Sequence, residues 1–123
     1  MSEILFWAAA GLCGLTAGIH VFLGGVKFVR AFLALEIDPF QKWLSYLMWH
    51  FGTVSTLFMG AGFAAAALML GHTDYAMIAT AGAASFLATA FYVALRAGMP
   101  PLRFPVVPMF SLITLCGVAG VLV

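Results

Sequence analysis

His20, His50, Thr53, Thr89, Tyr92 and Arg96 are the side chains whose types and spacing could do chemistry, because each lies inside or at the edge of a long apolar stretch. An ionisable group within such a stretch is rare, tends to face the protein interior, and marks a functional site by default. His20 and His50 could be the two axial ligands of a b-type haem held between neighbouring helices. That reading also needs small residues to admit the macrocycle and a cation near its propionates. Gly24 and Arg96 are placed to supply them. Alternatively, imidazole and phenol groups could pass a proton or bind a small polar solute in an oligomeric transporter or channel. A plainer use stands beside both: a neutral imidazole donates one hydrogen bond to a carbonyl or a threonine on the next helix. Tyr92 and Arg96 have their own plain role as headgroup-level anchors.

The elements that must position these groups follow from composition. In 123 residues, 65% are hydrophobic and 7% charged, and the mean hydropathy is +1.15. These values belong to an integral membrane protein rather than a soluble domain. Four stretches, about 4–23, 44–70, 75–95 and 106–123, have the length of roughly 20 apolar residues that a helical span requires. A transmembrane barrel would alternate apolar and polar residues in segments of about ten, and no such alternation is present. The expected fold is therefore an all-α integral membrane protein, a single domain over 1–123 built as an antiparallel four-transmembrane-helix bundle. The start, MSEILFW, lacks the positive region of a signal peptide, so the first span is expected to be retained.

All five basic residues fall in two connections: Lys27, Arg30 and Lys42 between the first and second spans, Arg96 and Arg103 between the third and fourth. The positive-inside rule then places both termini on the outer side of what is expected to be a bacterial inner membrane. The segment 26–38 reads as interfacial and amphipathic, with Phe28, Phe32 and Leu35 at helical spacing and Gly24 and Gly25 as bend points. Asp38, Pro39 and Gln41 predict the start of the second helix. Gly98 predicts the end of the third, and Pro105 and Pro108 fit the first turn of the fourth.

Residues three, four and seven apart share a helix face. Thr16, His20 and Lys27 form one polar stripe, and Tyr46, His50 and Thr53 another. In the third span Ser85, Thr89, Tyr92 and Arg96 fall within roughly 60° of one another; Ser111 and Thr114 mark the fourth. Counting at about 1.5 Å per residue puts His20, His50 and Tyr92 roughly 6 to 12 Å below the basic residues of the cytoplasmic face. The expectation is one polar site in that half of the bundle, built from His20, His50, Thr53, Thr89 and Tyr92 with Arg96 above it. The pairs Gly14 and Gly18, Gly60 and Ala64, and Gly117 and Gly120 are expected to pack helices closely within the bundle. Cys13 and Cys116 read as inert buried thiols, with a disulfide or metal pair as the alternative.

A net charge of +1 gives no reason to expect nucleic acid as a partner. No nucleotide loop, nucleophile with its base, paired carboxylates or zinc spacing is present. The function expected is that of a non-catalytic accessory subunit of a larger membrane assembly, or a homo-oligomer. Its partners would be the lipid bilayer and other membrane subunits or further copies of itself. Haem b is the cofactor that the histidine pair would take.

Overall fold

The computed structural model describes residues 1–69 and 72–123, and every regular element in them is helical. The first helix, α1, runs Ser2–Leu33. It is α-helical to Gly18, π-helical over Ile19–Val29, and α-helical again over Arg30–Leu33. A π-helix is rare and usually a single turn; here it covers 11 residues around Gly24 and Gly25. In the segment 26–38, read from the sequence as interfacial, residues 26–33 continue α1 and 34–38 connect to the next helix.

Helix α2 runs Pro39–Leu68. Asp38 caps it, accepting from the Gln41 amide at 3.1 Å, and Pro39 sits where a missing amide hydrogen costs least. Of the expected second span, 44–70, the last residue lies outside the described residues, as does Gly71 of the following loop. Helix α3, Thr73–Arg96, ends in a Schellman motif: Gly98 adopts φ +67° and donates to the Leu95 carbonyl, while Met99 donates to Ala94. A short 3₁₀ turn, Pro101–Arg103, leads to α4, Val106–Leu122, with Pro105 at its N-cap and Pro108 in its first turn.

Three of these helices are long and apolar enough to cross a membrane, and α4 is an apolar helix of 17 residues. Large apolar side chains cover the outside, Phe58 at 75% exposure and Phe22 at 76% among them. Lipid makes that exposure favourable, and the helices satisfy their own backbone groups as hydrocarbon requires. The chain is thus a helical membrane protein of four helices.

The helices form a ring in which α1 touches α2 and α4, and α3 touches α2 and α4. Consequently α1 and α3 stand at opposite corners. The core is made of small residues with a few large ones pushed between them. Phe63 of α2, fully buried, lies against Gly117 of α4, and Phe6 of α1 lies against Gly120. A Cβ at Gly120 would stand 2.5 Å from the Phe6 ring, so only glycine lets the helices approach this closely. A Cβ at Gly60 would likewise stand 3.1 Å from the Cys13 Cβ. The expected role of Gly14 and Gly18 is not seen. Among the described residues no atom of another helix lies within 4 Å of where a Cβ would stand at either position, because Ala9, Cys13 and Ala17 supply the buried face of α1 and the glycines point outward.

Candidate functional site

His20 sits at the start of the π-helical stretch, half-buried against α2. Its Nε2 lies 3.1 Å from the Trp49 carbonyl oxygen, and its ring stacks on the Trp49 indole at 3.7 Å and 18°. A carbonyl only accepts, so Nε2 carries the hydrogen. The edge of the same indole rests on Gly24, where a Cβ would meet it at 2.6 Å, and Gly52 leaves room beneath the imidazole. Tryptophan, histidine and two glycines therefore lock the upper part of α1 to α2.

His50 follows Trp49 in sequence but faces elsewhere. It is exposed, with its ring edge-on to Tyr46 at 4.6 Å, and Tyr46 in turn meets Trp43 at 6.0 Å. This ladder of amphipathic rings climbs the outside of α2 near its N-terminal end. Thr53 is half-buried, and its Oγ1 is buried without a hydrogen-bond partner, as are those of Thr80 and Thr114. Thr56, one turn further along, donates instead to the Gly52 carbonyl at 2.8 Å.

Thr89, Tyr92 and Arg96 are all exposed, Tyr92 to 62%, on the face of α3 opposite buried Ala83, Ala90 and Ala94. Thr89 and Ser85 donate to the carbonyls of Ser85 and Ala81, at 2.9 and 2.8 Å. Such back-bonding satisfies a hydroxyl within its own helix, so neither needs an interior partner.

The six residues expected to form one site thus occupy four places. His20 faces α2 inside the bundle, His50 belongs to the outer aromatic ladder, and the α3 stripe points outward from the corner diagonal to α1. The Thr53 hydroxyl is within hydrogen-bonding reach of none of them. Trp49, which sequence spacing marks only as an interfacial anchor, is the residue that engages His20. The contact spans 29 residues and has no local signal.

Bis-imidazole ligation of haem would require nitrogens from both histidines to face one gap. Here the His20 nitrogen is held by a carbonyl, and the Trp49 ring fills the space beside it. No group of three or more potential metal-binding side chains converges among the described residues. Haem ligation would therefore need the contact between His20 and Trp49 to open, and the absorption spectrum of protein isolated from haem-replete cells is the measurement that checks it. A band that disappears in His20→Ala and His50→Ala would mean that the His20 and Trp49 contact opens to admit a ligand. His72 and Asp74 make an exposed contact of 3.9 Å at the far end of the bundle, a kind of pair that contributes little in water.

No family model, curated protein or solved structure matches the chain.

Proposed function

We propose that the protein is a small non-catalytic membrane subunit that works by assembly, through association with further copies of itself or with other membrane proteins. The observation that carries this reading is the outward direction of two small-residue faces on opposite corners of the ring. On α1, Gly14 and Gly18, with Gly11 beside them, have open space around them. On α3, Ser85 and Thr89 are exposed four residues apart. Small residues spaced this way let helix backbones approach closely, and this is the main packing device available in lipid.

The two faces also match in depth. Counted from Ile4 and Tyr75, where the apolar parts of α1 and α3 begin, Gly14 and Ser85 are each ten residues in, and Gly18 and Thr89 each fourteen. The helices run in the same direction, so α3 of one copy can lie along α1 of the next. Such a heterologous contact builds a ring when its rotation closes. Tyr92 and Arg96 then sit at the headgroup level of that contact. The mass of the complex extracted with a mild detergent tests the reading, since a lone chain would contradict it.

The orientation we favour puts both termini outside and the basic connections in the cytoplasm, in a bacterial inner membrane, on the distribution of Lys27, Arg30, Lys42, Arg96 and Arg103. With Cys13 and Cys116 replaced by alanine, Thr73→Cys is expected to react with a membrane-impermeant maleimide added to intact cells. Labelling only after the cells are opened would reverse the orientation.

A further inference from the structure

Beyond Gly18, α1 leaves the four-helix contact and packs chiefly against α2. The two helices part there and leave an apolar cleft of about 250 Å³, lined by Phe28, Val29 and Phe32 of α1 and by Ser45, Tyr46 and Trp49 of α2. At roughly 30 Å³ for each water-sized group, that is room for about eight methylenes. The cleft's depth is set by helix length. The apolar part of α3, between Asp74 and Arg96, spans about 31 Å, close to the ~30 Å hydrocarbon thickness. Helix α2 has 30 residues to the 24 of α3, and the two are joined by a short connection at the opposite end. Its surplus of about 9 Å is therefore the stretch 39–44, just beyond Ser45, which puts the cleft at the boundary between hydrocarbon and headgroups.

Charge at the mouth completes the site. Lys42 donates to the Leu33 carbonyl at 3.1 Å, tying the two helices together and leaving two of its three hydrogens unused. Lys27 and Arg30 are exposed on the same stretch of α1 but do not line the cleft. No carboxylate lies within 4 Å of these three cations among the described residues, and Asp38 is engaged as the cap of α2. An apolar trough beside the Lys42 ammonium suits an amphiphile with a negative head. A free anion would leave the trough empty, and a neutral lipid would leave that ammonium without an anionic partner.

We propose that the cleft between the end of α1 and the start of α2 binds one anionic phospholipid. The upper part of an acyl chain lies along Phe28, Phe32 and Trp49, and the phosphate meets Lys42. The site is independent of self-assembly, which uses other faces of the ring.

The test titrates the full-length protein in a neutral detergent with phosphatidylglycerol, with phosphatidylcholine of the same chains, and with inorganic phosphate. Tryptophan fluorescence reports binding, and Trp49→Phe identifies the contribution from the cleft. Phosphatidylglycerol is expected to bind at least about fivefold more tightly than phosphatidylcholine, the effect of one basic residue beside an anionic head. Lys42→Gln should lose about that factor and Lys42→Arg should keep it. Ser45→Trp, at an exposed position that fills the cleft, should abolish the response to both lipids with helix content by circular dichroism unchanged. Equal binding of the two lipids regardless of Lys42, or a response to inorganic phosphate alone, would overturn the assignment. Binding of neither lipid would also overturn it and leave the cleft to a protein segment.

Discussion

Phe63→Ala is expected to destabilise the bundle by about 3 kcal/mol, at the low end of the usual range for a buried phenylalanine. The ring has no exposure and lies against Gly117 at the junction of α2, α3 and α4. In water, truncation would lose both transfer free energy and packing. Here the unfolded reference is itself in lipid, so the transfer term shrinks and the cavity term dominates. The reciprocal change should act from the other side. A Cβ at Gly117 would stand 3.0 Å from the Phe63 ring and press on the Thr80 hydroxyl, so Gly117→Val is expected to cost about 1–3 kcal/mol by overpacking. Because the two positions share one contact, Phe63→Leu should recover part of the Gly117→Val loss in the double variant. Unfolding in mixed micelles by added dodecyl sulfate measures all of these. Costs below about 0.5 kcal/mol, the level of an ordinary surface substitution, would mean that this junction is not closely packed.

Gly14→Leu should do the opposite, leaving the single bundle folded while weakening assembly. Nothing lies within 4 Å of the position a Cβ would take at Gly14, so the new side chain enters open space. Leucine is also a better helix former than glycine, by roughly 0.5–1 kcal/mol. Folding of the isolated bundle should therefore be unchanged or slightly favoured. If a second helix rests on this face, the branched side chain holds it away, and association should weaken at least tenfold, or about 1.4 kcal/mol. Fluorescence transfer between separately labelled copies in vesicles, read against lipid dilution, measures that loss. An unchanged dilution curve would remove the α1 face from the interface. Thr89→Leu on α3 should weaken association in the same experiment, because the two faces meet in the proposed contact.

The features legible in the sequence were compositional or local. Four apolar stretches with charged or proline-containing connections yield four helices, and the cap at Asp38 and the stop at Gly98 are set by residues within a turn of each helix end. The direction in which each helix faces was not legible. In a soluble bundle the apolar stripe points inward, but in lipid both the core and the outside are apolar. The polar stripe of α3 then looked like the inner face. It points outward because Ser85 and Thr89 bond to their own helix and the alanine face opposite allows closer packing. On α1 the choice lay between two small-residue faces. Ala9, Cys13 and Ala17 won the interior over Gly14 and Gly18. The lock between His20 and Trp49 depends on a long-range contact and on the widened turns around Gly24, neither of which follows from helical spacing.

These faces make one demand of the molecule: a chain of 13.1 kDa with two outward small-residue faces should not remain alone in its membrane. The most direct measurement is the mass of the protein extracted into native-lipid discs without detergent, by mass photometry or native mass spectrometry. The expected result is a particle whose protein mass is a multiple of 13.1 kDa, or that mass joined to other chains, and that falls apart in Gly14→Leu. A single chain per disc at native expression levels, unchanged by Gly14→Leu and Thr89→Leu, would contradict assembly as its function.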